Sequence, residues 1–112
     1  MEIVSEELTR AQLKEKASGL FGDMIKAVVD IDRAVIAIDA ELHSDLEALL
    51  LENGSQQNNL WGINFYPDLK GDDFVEFDSM INMRPSQDNR SRGVDNEQTR
   101  AKILAVVSRR IK

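Results

Sequence analysis

The chain has 112 residues, of which 42% are hydrophobic and 30% charged, and its net charge is −6. This is an ordinary globular composition, so we expect one domain over residues 1–112 and exclude intrinsic disorder. The absence of cysteine excludes disulfides, thiolate zinc sites and thiol nucleophiles. The N-terminus lacks the features of a secretory signal, and the longest apolar run, Ala34–Ile38, is too short to span a bilayer. We therefore expect a cytoplasmic protein with no membrane contact.

The charges are unevenly distributed along the chain. Residues 1–83 contain 17 acidic and 6 basic side chains, whereas residues 84–112 contain 3 acidic and 8 basic ones. Either the two parts neutralise each other in the folded domain, or the C-terminal quarter presents a basic surface to an anionic partner. The overall acidity argues against nucleic-acid binding, which depends on neutralising many phosphates.

The N-terminal third predicts a helix followed by a β-hairpin. The helix is expected over about Glu6–Leu20, with Ser5 as N-cap and Gly22 as its stop. Lys26–Asp39 then contains two runs rich in β-branched residues on either side of Asp32-Arg33, which is typical of a hairpin.

Residues 44–53 are compatible with two structures. Ser44 and Glu47 have capping-box spacing, and the leucine-rich segment Leu46–Glu52 favours a helix of about two turns. Asn53-Gly54 is a helix stop but also a hairpin signal, so a strand remains the alternative.

Two further strands are predicted in the second half of the chain. The first, Leu60–Tyr66, ends at Pro67. The second, Phe74–Arg84, has the clearest alternation of apolar and polar residues, with a bulge expected at Ser79-Met80.

The last predicted helix begins near Asn96, with Asp95 as N-cap and Gln98 completing a capping box. Its buried side is expected to consist of apolar residues at helical spacing, namely Ile103, Leu104, Val107 and Ile111. The order αββαββα predicts an α+β fold, with a four-stranded antiparallel sheet and helices packed on one face.

The fourth predicted strand has a polar face. Alternate residues point the same way, so Glu76, Asp78, Asn82 and Arg84 should project together, and Asn64 on the neighbouring strand could join them. Such a row could bind a polar ligand or supply a general base, for which Asp78 is the candidate. The alternative is an ordinary solvated sheet face.

The loop after this strand contains arginines at 84, 90 and 92, together with Asn89. Arg84, Arg90 and Arg92 could hold a phosphate or carboxylate in bidentate fashion. Alternatively, they fasten the loop through bonds to carbonyl and carboxylate oxygens. The Asp95 carboxylate, placed at a helix start, would compete with an incoming anion.

His43 is the only histidine. It is a candidate acid or base, and with Asp39, Glu41 and Asp45 it could form a mixed metal site, although one histidine among scattered carboxylates is a weak metal signal. The alternative is an ordinary hydrogen-bonding residue. No Walker loop, dinucleotide fingerprint or nucleophile elbow is present, so we predict neither a metal nor a cofactor.

Four segments of the chain together resemble a known family. They are Glu41–Asp45, Leu60–Pro67, Glu76–Pro85 and Asn89–Val94. Their combination is similar to a family of short bacterial proteins known only as a domain of unknown function, over most of the chain from Phe21 onward. The resemblance implies a bacterial, freestanding, single-domain protein, and it implies no activity, cofactor or catalytic residue.

Three functions remain open from the sequence. The first is a binding module for a small anionic ligand or a protein partner, centred on the polar strand face and the arginine loop. The second is a small hydrolase- or transferase-like enzyme that uses Asp78 or His43 with an arginine anion clamp. The third is an accessory protein that acts through an oligomeric interface.

Overall fold

The computed structural model describes residues 1–112, which form three α-helices and a five-stranded sheet. The helices are α1 (Arg10–Ser18), α2 (His43–Glu52) and α3 (Glu97–Arg110). The strands are β1 (Glu2–Val4), β2 (Ile25–Asp30), β3 (Val35–Ile38), β4 (Leu60–Phe65) and β5 (Val75–Glu76). None of the helices is both long and apolar enough to cross a membrane.

The sheet has the order β1-β3-β2-β4-β5, and every neighbouring pair is antiparallel. The α+β class and the antiparallel sheet are therefore confirmed, but the predicted number of four strands is wrong. The missed strand is β1, whose three residues pair with β3 at the edge of the sheet.

Helices cover both faces of the sheet, so the expected packing on one face is wrong. Leu13 of α1 and Ile103 of α3 belong to the larger apolar core on one face. Leu46 and Leu50 of α2 pack against Val28 on the other face, in a smaller core. The central strands carry apolar residues on both sides, and each apolar face has to be buried against a helix.

The first helix begins later than predicted. Thr9, not Ser5, is the N-cap: its hydroxyl accepts a hydrogen bond from the Gln12 backbone N–H (3.1 Å), and Gln12 Oε1 accepts one from the Thr9 N–H (2.9 Å). The residues before Ser5 are extended because they form β1.

The hairpin and the helical reading of residues 44–53 are confirmed, with differences at their ends. In the hairpin turn the Asp30 carboxylate accepts hydrogen bonds from the Asp32 and Arg33 backbone N–H groups, each 2.9 Å long. The helix α2 begins at His43 after Leu42, and no side chain caps it, so the predicted Ser44 capping box does not form.

The predicted strand Phe74–Arg84 is wrong beyond Glu76. Only Val75 and Glu76 pair with β4, and Met80–Asn82 forms a short 3₁₀ turn. The polar residues of this segment therefore do not lie in one row on a strand.

The last helix has Asn96 as its N-cap, not Asp95. The Asn96 side chain accepts a hydrogen bond from the Thr99 backbone N–H (2.9 Å). Leu104, expected in the core, is 41% exposed, and the neighbouring Val106 is buried in its place.

Candidate functional site

A groove of about 450 Å³ lies on the α2 side of the sheet. It is bounded by the first residues of α2, by β2 and β4, and by the segment that follows β5. We call it the α2 groove. Its polar lining includes Lys26, His43, Asn64, Glu76, Asp78 and Arg92.

The register of the sheet brings three polar side chains of the groove together. Lys26 of β2 lies opposite Asn64 of β4, and Asn64 lies opposite Glu76 of β5. Directly opposed residues on antiparallel strands share a face of the sheet. Cation, amide and carboxylate therefore form a row across three neighbouring strands, and Asn64 is its centre.

Only the nitrogen of the Asn64 side-chain amide forms hydrogen bonds; the oxygen forms none. Its Nδ2 donates to Glu76 Oε1 (2.8 Å) and to the Asp78 backbone oxygen (3.3 Å). Because both partners are acceptors, the nitrogen has to face them and the oxygen has to face away. Asn64 is only 5% exposed, and its buried Oδ1 receives no hydrogen bond.

His43 is the first residue of α2 and is 9% exposed. Its Nε2 lies 2.9 Å from the Ile63 backbone oxygen, which accepts, so Nε2 carries the proton. Burial lowers the pKa of His43, and the bond to the Ile63 carbonyl and the neighbouring Asn64 side chain oppose this only in part. At neutral pH the imidazole is therefore uncharged, and Nδ1 has a free lone pair.

Positive potential at the groove comes from two sources. The backbone N–H groups of His43 and Ser44 have no acceptor, because α2 has no side-chain cap. Lys26 has no carboxylate within 4 Å, and its Nζ lies 5.4 Å from the centre of the Phe21 ring.

Three other ionisable groups of the groove, Arg92, Asp78 and Tyr66, are engaged in hydrogen bonds within the protein. Arg92 Nε donates to Asp78 Oδ1 (2.8 Å), and Arg92 Nη2 donates to Asp78 Oδ2 (3.3 Å). The Tyr66 hydroxyl donates to Glu76 Oε1 (3.2 Å). Burial and the neighbouring Glu76 raise the pKa of Tyr66, which keeps the phenol protonated.

Three of the residues proposed from the sequence as ligand-binding hold the backbone instead. Asn82 is bonded to the N–H and the carbonyl of Gly62. Asn89 Nδ2 donates to the Asn82 and Gly93 carbonyls, at 2.7 and 2.9 Å. The Arg84 guanidinium donates to the Gln57 carbonyl and to the Leu60 carbonyl at the start of β4, and it stacks 4.3 Å over the Trp61 ring.

The arginine loop does not form a clamp. Arg90 is exposed, its side chain forms no hydrogen bond or ion pair, and it does not line the α2 groove. Asp95, which the sequence placed at the helix start, accepts hydrogen bonds from the Arg90 backbone N–H and the Ser91 hydroxyl. These bonds lower the pKa of Asp95, with Ser91 as the larger cause.

The structure gathers no metal centre around His43. Asp39, Glu41 and Asp45 do not assemble with it, and no group of three or more His, Asp or Glu side chains is placed to hold a metal ion. His43 Nε2 is moreover already used by the Ile63 carbonyl.

Five of the residues singled out from the sequence do line the α2 groove: His43, Asn64, Glu76, Asp78 and Arg92. Sequence reasoning missed Lys26, Ser44 and Tyr66. Lys26 had a detectable signal, because it is the only basic residue of a strand that is apolar apart from Lys26 and Asp30. No local signal marked Ser44 or Tyr66.

Comparison with known proteins gives one match. A protein-family model with the description "Protein of unknown function (DUF5674)" matches residues 2–110. No curated protein and no solved structure matches the chain. Any function must therefore be inferred from the geometry of the chain itself.

Proposed function

The chain belongs to the DUF5674 family of proteins of unknown function, and we propose that it is a binding module that holds a small ligand with an anionic group in the α2 groove. The observation that carries this proposal is the buried, unbonded Asn64 Oδ1 beside the uncapped start of α2. The Asn64 oxygen lacks a hydrogen-bond donor and the N–H groups at the start of α2 lack an acceptor, and a bound ligand would supply both.

The anionic group is expected at the start of α2. The free N–H groups of His43 and Ser44 stand at the positive end of the helix dipole, where anions are stabilised. Lys26, which has no carboxylate partner, adds a full positive charge to the same groove. Neutral His43 adds no charge, but its bond to the Ile63 carbonyl holds the start of α2 against β4.

Asn64 supports a ligand and not merely a solvated surface. Buried polar atoms in folded proteins are almost always hydrogen-bonded, and an unbonded one costs about 1–3 kcal/mol. The bonds of Nδ2 to Glu76 and Asp78 prevent the amide from turning to relieve this cost. A hydrogen-bond donor on a bound ligand would satisfy this oxygen.

General-base catalysis at His43 is the second candidate function. It is favoured by the uncharged imidazole, whose Nδ1 lone pair is available at neutral pH. Asp78 is a weaker candidate for this role, because both of its carboxylate oxygens are bonded to Arg92.

The test is an amide NMR titration with inorganic phosphate, acetate and succinate. We expect saturable shifts of the His43 and Ser44 backbone amides and of the Asn64 side-chain amide. Lys26→Met should weaken them by about tenfold, the effect of one charged contact, whereas Lys102→Met on the exposed side of α3 should not. The proposal fails if millimolar anions cause no shift at these groups, or if Lys26→Met binds them like the natural chain.

A further inference from the structure

The formal charges of the α2 groove are balanced. Arg92 and Asp78 neutralise each other in an ion pair, which leaves Lys26 as the one unpaired cation and Glu76 as the one remaining anion. A dianion in this groove would be attracted by Lys26 and repelled by Glu76. A ligand with one charge of each sign would satisfy both.

The groove has a donor end and an acceptor end. Lys26 and the free N–H groups of α2 form the donor end. Glu76 and Asn64 form the acceptor end, because Glu76 Oε2 forms no hydrogen bond and the buried Asn64 Oδ1 has no donor. An ammonium group, which carries three donors and no acceptor, fits this second end.

The rim of the groove is apolar. Leu42 and Met80, which are 55% and 65% exposed, lie at its edge together with Met24. Unbranched methionine side chains adapt to the shape of an apolar group that packs against them. The rim therefore offers contact to a short apolar substituent.

We propose that the ligand of the α2 groove is a small zwitterion of amino-acid type, with its carboxylate at the start of α2 and Lys26, and its ammonium group at Glu76 and Asn64. This inference rests on the proposed function and narrows it to one chemical class. It assigns Glu76 and Asn64 to ammonium recognition and Lys26 to carboxylate recognition.

Three probes test the two charges separately on the unmodified protein. They are L-methionine, N-acetyl-L-methionine, which lacks the ammonium charge, and L-methioninamide, which lacks the carboxylate. We expect methionine to bind at least about tenfold more tightly than either derivative, because each derivative loses one charged contact. NMR shifts of His43, Ser44 and Asn64 give the dissociation constants.

Two variants assign each charge to its residue. Glu76→Gln keeps an oxygen that accepts from Asn64 and Tyr66, so it should weaken the binding of methionine but not that of N-acetyl-methionine. Lys26→Met should weaken the binding of methionine and of N-acetyl-methionine, and leave the binding of methioninamide unchanged. Glu52→Gln, at the exposed end of α2, is the matched control and should change nothing.

The possible results separate the two proposals. If N-acetyl-methionine binds as tightly as methionine, the zwitterion is refuted and the binding of an anion stands. If methioninamide binds as tightly as methionine, or if none of the probes or simple anions shifts the groove residues, both proposals are refuted.

Discussion

The side-chain amide of Asn82 is hydrogen-bonded to both backbone groups of Gly62. Its Oδ1 accepts from the Gly62 N–H (2.8 Å), and its Nδ2 donates to the Gly62 carbonyl (2.9 Å). The side chain thus replaces the strand backbone that would otherwise pair with the middle of β4. This exchange lets the chain leave the sheet after Glu76, so that Asp78 and Ser79 form a wall of the α2 groove.

Replacement of Asn82 by alanine should lower the free energy of unfolding by about 3 kcal/mol, because two buried backbone groups of Gly62 lose their partner. Urea denaturation measures this change. Asn58→Ala, at an exposed side chain without a hydrogen bond, should change stability by less than about 0.5 kcal/mol. Equal effects of the two substitutions would contradict the bridging role of Asn82.

Gly62→Ala should also destabilise the fold. A Cβ atom at this position would lie 2.5 Å from Ser79 Cβ and 2.6 Å from Ser79 Oγ, so the wall of the groove would have to move. Overpacking of this kind costs about 1–3 kcal/mol. Gly19→Ala, whose Cβ would meet only the Lys16 carbonyl oxygen at 3.4 Å, is the control and should be tolerated. Partial rescue of Gly62→Ala by Ser79→Gly, measured by thermal unfolding, would identify the clash as the cause.

The carboxylate of Asp30 connects the hairpin turn to the loop that follows α2. It is fully buried and accepts hydrogen bonds from the Asp32 and Arg33 N–H groups and from the Ser55 hydroxyl (2.6 Å). Asp30→Ala should therefore cost about 2–4 kcal/mol of stability, as is usual when a buried hydrogen-bond network loses its acceptor. Asp32→Ala, at an exposed side chain, should be nearly neutral in the same denaturation experiment, and a similar loss there would argue against this role.

His43 should make stability depend on pH below neutrality. Its folded pKa lies below the unfolded value of about 6.5, mainly because of burial. The Ile63 carbonyl, the Asn64 side chain and Asp78 oppose this shift, and Lys26 adds to it. At a pH near these pKa values the unfolded chain therefore binds more protons than the folded chain. The contribution of neutral His43 to the free energy of unfolding is complete above the unfolded pKa and is lost as the pH falls through the folded pKa. The stability difference between the natural chain and His43→Gln should shrink from pH 7.5 to pH 5.5. An imidazole pKa above the unfolded value, read from the ring proton shifts, would contradict the prediction.

Arg84 and Arg90 should behave differently although both belong to the arginine loop. Arg84→Ala should cost about 2 kcal/mol, because the guanidinium binds two backbone carbonyls and stacks on Trp61. Arg90→Ala should leave stability within about 0.5 kcal/mol. Neither substitution should alter anion-induced shifts at the α2 groove. A loss of those shifts in Arg90→Ala would restore the anion clamp that the sequence suggested.

Local patterns in the sequence were sufficient for much of the architecture. The β-branched runs of Lys26–Asp39, the leucine-rich Leu46–Glu52 and the helical spacing of Ile103 and Val107 each specify an element through nearby residues. Polar residue types in recognisable segments also indicated five groove residues, including His43 and Asn64.

Only the tertiary structure decided which partner each polar group has. The three-residue strand β1 forms because it pairs with the free edge of β3. Strand β5 ends after Glu76 because the side chain of Asn82, 20 positions further along the chain than Gly62, binds the backbone of Gly62 instead. The side chains of Arg84 and Asn89 likewise bind backbone carbonyls that only the folded chain brings near them. The uncapped start of α2 and the unbonded Asn64 oxygen belong to one groove only because of the sheet register and the packing of α2 on the sheet. Hydrogen bonds between distant residues depend on where the folded chain places both partners, and neither partner carries that information locally.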